Sequence, residues 1–251
     1  MTTPKYTLKF HETDTPITDA VTKFGGQPVW LDTPQWPLSR STGNQMQFIG
    51  QVQIYPEIFG HLAVQMAYLF ISEDLNGQNI PITPQTFAPD QSVHVLYTWE
   101  PDGGENAVIL QPGTWQGPSL PVATGPALWK WDSTLSRFCT GPYCEYRVSL
   151  LPGDDPDLPP QSKGPYIELP LQMSDGSLWQ QQPEETEEKI GGTAQVRQYR
   201  VFPEFGSGDW QLVLQFPEQD DRFFVNFAED GIGYVFMTKD GKQAKFGWSR
   251  I

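Results

Sequence analysis

Carboxylates are the chemistry-bearing residues that this chain gathers most densely. They form three runs, Asp154-Asp155-Pro156-Asp157, Glu184-Glu185-Thr186-Glu187-Glu188 and Glu218-Gln219-Asp220-Asp221. Between Asp154 and Asp230 there are sixteen Asp and Glu against five Lys and Arg, so a net charge of -11 falls in this stretch out of -14 for all 251 residues. Calcium is one occupant to weigh, but Pro165 stands where a calcium loop starting at Asp154 would place its twelfth-position Glu. The other reading is an electronegative face for a cationic partner, since like charges this close repel one another and a basic surface would relieve them. Asp154, Asp155, Asp157, Glu184, Glu185, Glu187, Glu188, Glu218, Asp220 and Asp221 are therefore the candidate partner-binding residues. Trp179, Tyr199 and Trp210 lie close to them in sequence, as aromatic anchors of such a face would, because buried rings carry most interface affinity. The plain alternative is a set of separate solvated loops that never converge.

Other chemistries leave little trace. His11, His61 and His94 are far apart and make no HExxH pattern, so a zincin site is absent. Ser207 in FGSGD lacks the GxSxG spacing of a nucleophile elbow. No GxxxxGK[ST] loop occurs, and the glycine pairs in FGGQ, GGEN and IGGT are too short to cradle a dinucleotide. Cys139 and Cys144 enclose TGPY without a second cysteine pair or a neighbouring His, which argues against zinc. The expectation is a non-enzyme with no metal and no cofactor. The net charge of -14 and the isoelectric point near 4.5 repel phosphate backbones and anionic lipid, so direct nucleic-acid or membrane binding is not expected. Residues MTTPKYTLKFHETD lack the charged and then apolar regions of a secretory signal, and no long apolar run follows. A soluble cytoplasmic protein with reduced thiols is expected.

The elements that must position these residues are short. Gly and Pro together make up 47 of 251 residues, too frequent a punctuation for long helices. Three segments recur in one order. Lys23-Phe24-Gly25-Gly26 is echoed by Lys189-Ile190-Gly191-Gly192 at an offset of 166, and Ala67-Tyr68-Leu69-Phe70-Ile71 by Gly233-Tyr234-Val235-Phe236-Met237 at the same offset. Between them, Met46 to Val52 is echoed by Trp210 to Phe216 at 164. Such agreement reads as an ancient duplication. Each copy is a double-glycine turn, a long loop, a buried strand containing Gln51 or Gln215, and a Tyr-x-Phe strand. The glycines suit positive φ or close backbone approach, and the two amides suit neighbouring backbone groups better than catalysis.

Ser92 to Trp99, Ala107 to Leu110 and Glu145 to Leu151 are further strand candidates, and Pro152 to Gly164 reads as an exposed loop. Short helices are predicted over Ile17 to Lys23 and over residues 181 to 188. The expected fold is mainly β, a β-rich α+β domain that is internally duplicated about a pseudo-two-fold with few short helices. One globular domain spans 1–251, with repeat one at about 17–72, repeat two at about 183–238 and a β-rich segment over 73–182.

The segments KFGGQPVW, the following WP and QFIGQV, and IGYVFMTKDGKQAKFGW resemble the YwqG-like family, a bacterial group without an assigned reaction. Lys189 to Gly192 matches the start of the second half, although TAQVRQYR replaces the tryptophan and proline that usually follow. The resemblance implies a mainly β, duplicated fold and places similar proteins among the immunity proteins that protect bacteria from polymorphic toxins. The expected function is then that of a non-catalytic acidic immunity protein, which blocks the cleft of a basic toxin, a nuclease above all. The alternative is a small-ligand-binding protein or an enzyme of unrecognised type that uses a cleft between the halves.

Overall fold

The computed structural model describes residues 2–72, 101, 103–114, 117, 123–132, 137–157, 166–168, 186–196, 210–218, 222–223, 225, 227 and 231–249. In chain order the elements are β1 (Thr2–Glu12), β2 (Lys23–Gly25), β3 (Gln47–Gln53), α1 (Pro56–Phe59), β4 (Val64–Ile71), β5 (Asn106–Pro112), β6 (Trp129–Asp132) and β7 (Arg137–Tyr143). There follow β8 (Glu145–Pro156), β9 (Tyr166–Glu168), β10 (Lys189–Gly191), β11 (Ala194–Val196), β12 (Trp210–Pro217), β13 (Ile232–Thr238) and β14 (Ala244–Ser249). The fold is mainly β. Among the described residues no helix is long and apolar enough to cross a membrane.

Ten strands make one sheet in the order β14-β13-β12-β10-β1-β8-β2-β3-β4-β5, with every neighbouring pair antiparallel. The long β1–β8 ribbon lies at the centre, and outward from it each side has a three-residue strand followed by three longer ones. The end strands β5 and β14 come side by side, so the sheet curls into a nearly closed barrel. Two smaller pairs, β6–β7 and the parallel β9–β11, complete the described strands.

Curling gives the sheet an inside and an outside, and both are apolar away from the centre. The interior is filled from both sides of the ribbon by residues such as Leu8, Phe24, Val52, Leu69, Leu214 and Val235. On the outer surface two further clusters form, one around Trp30, Phe48, Tyr68 and Phe70, the other around Leu212, Tyr234 and Phe236. Strands β4 and β13 are thus buried on both faces, which is why they read as unbroken apolar runs rather than alternating ones.

Three expectations about local structure change. Residues 17–22 form no helix and lead directly into β2, because the Lys23 side chain bonds the Ile17 carbonyl and Gln51 bonds that of Val21, fixing the segment as irregular chain. Of the segment 181–188, residues 186–188 are non-helical, and the rest lies outside the described residues. Pro152–Pro156 is strand, not loop. Pairing of β8 with β2 ends at Arg147 while its pairing with β1 continues to Pro156, so the prolines stand where one edge of the strand has no β2 partner and a missing N–H is tolerated. Ala107–Leu110 falls in β5 and Glu145–Leu151 in β8 as expected; Ser92–Trp99 lies outside the described residues.

Candidate functional site

Each of the two double-glycine turns encloses a buried ion pair. Strand β2 is wedged between β8 and β3, and β10 between β1 and β12. Each opens with a lysine that is almost wholly inaccessible: side-chain exposure is 1% at Lys23 and 0% at Lys189. A buried ammonium needs both a counter-charge and hydrogen-bond acceptors. Lys23 Nζ donates to Glu145 Oε1 at 2.5 Å and to the Ile17 carbonyl at 3.1 Å. Lys189 Nζ donates to Asp155 Oδ2 at 2.5 Å and to the Thr193 carbonyl at 2.8 Å.

The glycines make room for these carboxylates. Gly25 and Gly191 turn the chain at φ of 69° and 73°, a region that costs a residue with a Cβ about 1–2 kcal/mol. At the next position the absent Cβ matters for space. A methyl on Gly26 would lie 2.3 Å from the Glu145 carboxyl carbon, and one on Gly192 would lie 2.4 Å from Asp155 Oδ2. The glycine pairs are legible in the sequence as turns, and the lysine two residues before each pair is the sequence signal for a buried ion pair.

The two sites differ in how the carboxylate is supplied. Glu145 comes from the strand beside β2 and serves Lys23. Asp155 reaches from β8 across β1 and serves two lysines, with Oδ1 2.7 Å from Lys5 Nζ and Oδ2 also accepting the Thr193 N–H at 3.0 Å. Glu187 bonds Lys5 and the Thr7 hydroxyl. Burial pushes the pKa of Lys23 and Lys189 below the ordinary lysine value, only partly opposed by their carboxylates. Burial works in the opposite sense at Asp155, where the hydrogen bonds from Lys189 and Lys5 outweigh it and hold the carboxyl below its usual range.

Behind each turn a glutamine stitches the following loop. Gln51 accepts from the Val29 N–H at 2.8 Å and donates to the Val21 carbonyl at 2.8 Å. Gln215 accepts from the Gln195 N–H at 3.0 Å and donates to the Glu187 carbonyl at 3.1 Å. Tyr68 and Tyr234 add a hydroxyl to the same loops, donating to the carbonyls of Val29 and Gln195. The expected structural role of both amides holds.

The candidate acidic residues divide accordingly. Asp154 is exposed on β8. Asp155 is buried in the ion-pair network, so its charge faces Lys189 and Lys5 and not solvent. Asp157 accepts from the Thr3 hydroxyl at 2.8 Å. Glu187 converges with Asp155 on Lys5, and Glu188 forms an ion pair with Arg222. Glu218 is half-buried after β12, its N–H bonded to the Gly231 carbonyl. Glu184, Glu185, Asp220 and Asp221 lie outside the described residues, as do Trp179, Tyr199, His94 and Ser207.

No family model and no curated protein matches this chain. Its chemistry therefore has to be read from its own residues. His11 is exposed on β1 with Nε2 2.9 Å from the Ser149 hydroxyl, and His61 is exposed. Cys144 is a free, buried thiol, pushed up to about 12 by burial, which makes it a poor nucleophile. No group of metal-ligating side chains occurs among the described residues.

Proposed function

We propose that this chain is a non-catalytic binding protein that neutralises a basic protein partner, an immunity protein against a basic toxin such as a nuclease. The observation that supports it is the acidic excess of residues 154–230, which persists when the ion pairs of the described residues are set aside. Asp155, Glu187 and Glu188 are engaged by Lys189, Lys5 and Arg222. Removing those three carboxylates and the segment's two engaged cations leaves thirteen Asp and Glu against three Lys and Arg between residues 154 and 230. An excess of that size speeds encounter with a cation-rich surface and opposes binding to nucleic acid itself. The common origin of the halves and the YwqG-like resemblance belong to the same reading.

The ion pairs rule out two of the acidic residues as clean probes of binding. Glu187 and Glu188 hold the fold through ion pairs, so reversing them mixes binding with stability. Asp154, Glu184 and Glu185 are the informative positions. Their joint change to Lys should lower the association rate with a basic nuclease toxin encoded beside the gene by about tenfold at low salt, with the folded protein unchanged. Loss of protection in cells carrying that toxin is the accompanying phenotype. If deleting the gene leaves cells indifferent to every neighbouring toxin, the reading fails.

A further inference from the structure

The outer face of the central ribbon exposes charge of the opposite sign at Lys9, His11 and Arg147. Residues directly opposite one another in a ladder point to the same side of a sheet. The register therefore sets Gln51, Lys23, Arg147 and His11 in one row, and Gln215, Lys189, Thr7 and Leu151 in another, with Lys9 facing Ser149 between them. In both rows the flanking residues Gln51, Lys23, Gln215 and Lys189 are buried, whereas Lys9, His11, Arg147, Ser149 and Leu151 on the ribbon are exposed. Cover on both sides and none in the middle makes a trough along β1 and β8. Its width is about two strand spacings, roughly 10 Å, and from Arg147 to Leu151 it runs roughly 13 Å.

The floor of this trough carries unpaired cations. Lys5, Lys23, Lys130, Lys189, Arg222 and Lys242 each sit against a carboxylate, but Lys9 and Arg147 make no ion pair with any described carboxylate. Lys9 and Arg147 are diagonal neighbours, about 7–8 Å apart at their backbones, and His11 is directly opposite Arg147. Basic groups side by side on a sheet destabilise it, yet in a chain with 30 Asp and Glu none of the described carboxylates forms an ion pair with Lys9 or Arg147. Four residues beyond Arg147, Leu151 is 52% exposed, one of only two large apolar side chains so exposed among the described residues.

We infer that this trough binds a short extended acidic segment of a partner protein, its carboxylates over Lys9, His11 and Arg147 and an apolar side chain over Leu151. The length admits about four or five residues. The overall charge of -14 repels long polyanions, and the floor offers the His11 imidazole alone for base stacking, so a short peptide with an apolar anchor fits better than a nucleic acid. The inference does not rest on the basic-partner reading, because it is argued from cations and not from the acidic runs.

The test uses the full chain and a blocked, fluorescently labelled peptide of four glutamates followed by leucine, followed by anisotropy at low salt. Saturable binding is expected, weakened about tenfold or more in Lys9→Glu/Arg147→Glu and several-fold in Leu151→Ser, which keeps the charges. The double reversal Lys239→Glu/Lys242→Glu, on the β13–β14 hairpin, should leave binding unchanged, and thermal melts should show all variants folded. Absence of saturable binding overturns the inference, as does equal weakening by the hairpin control. Tighter binding of an oligothymidylate through Lys9 and Arg147 would also overturn it, by assigning the trough to phosphates.

Discussion

The turn at Lys23 and the turn at Lys189 perform one task with different degrees of redundancy. Both bury a lysine, place a carboxylate over the second glycine and tie the next loop with a glutamine and a tyrosine. At Lys23 a single carboxylate answers a single ammonium. At Lys189 the carboxylate is shared with Lys5, and Glu187 answers Lys5 in turn. Equal backbone geometry with unequal charge wiring means that the same substitution should cost different amounts in the two places.

The largest contrast is expected at the first glycines. A Cβ on Gly25 would lie 2.1 Å from the backbone oxygen of Cys144, where β7 passes into β8, whereas on Gly191 its nearest neighbour is the Cγ2 of Ile58 at 2.5 Å. A side-chain methyl can rotate away and a strand backbone cannot. Gly25→Ala should therefore destabilise the protein by about 4 kcal/mol or more, or prevent folding, and Gly191→Ala by about 2 kcal/mol. Urea unfolding of the two variants measures the gap, and equal losses would show the turns to be mechanically interchangeable.

Next come the lysines. Lys23→Met leaves Glu145 buried with no cation and should cost about 3–4 kcal/mol, within the range for breaking a buried pair. Lys189→Met leaves Asp155 paired to Lys5 and should cost clearly less. Adding Glu145→Gln to Lys23→Met should recover part of the loss, which a double-mutant cycle in urea would read directly. The glutamines sharpen the comparison from the other side, since they make the same two bonds in each half. Gln51→Leu and Gln215→Leu should each cost about 2 kcal/mol by orphaning a backbone N–H and a carbonyl, and a large difference between them would break the equivalence.

The smallest effect is the acid response. Asp155 has a folded-state pKa below its unfolded one, so its stabilisation is fully present above the unfolded value of about 3.9 and is lost as pH falls through the folded value. The lysines act at the other end. Lys23 and Lys189 have lowered folded-state values, so stability attributable to them rises with pH as it climbs from the folded value toward the unfolded value of about 10.4. Asp155→Asn should flatten the acid limb of a stability-against-pH curve below about pH 4, and an unchanged limb would place the acid sensitivity elsewhere.

Much of the frame was legible because it depends on local chemistry. Glycine pairs that need positive φ, apolar runs that need burial and amides among them that need backbone partners announce themselves at any point in a chain. The helix expected over Ile17 to Lys23 failed because Lys23 takes the Ile17 carbonyl that the first helical turn would have used, and Gln51 ties the Val21 carbonyl to β3. The loop expected at Pro152 failed because proline content reports a missing N–H and cannot report that the strand edge has no β2 partner there. The acidic runs were visible as composition, but whether a carboxylate faces water or a buried lysine depends on residues far away. Asp155 is 34 positions from Lys189 and Glu145 is 122 from Lys23.

By itself the sequence determined a mainly β chain, the places of its glycine turns, the paired glutamine and tyrosine positions and a strong excess of negative charge, all properties of residues or of near neighbours. Only the tertiary structure decided that β1 and β8 meet at the centre of the sheet and that Lys23 and Lys189 are buried ion-pair partners. It alone set Lys9, His11 and Arg147 together on an exposed floor. These follow from ladder register between strands more than a hundred residues apart, and register is fixed by which faces can be buried together, a quantity that no stretch of chain carries alone.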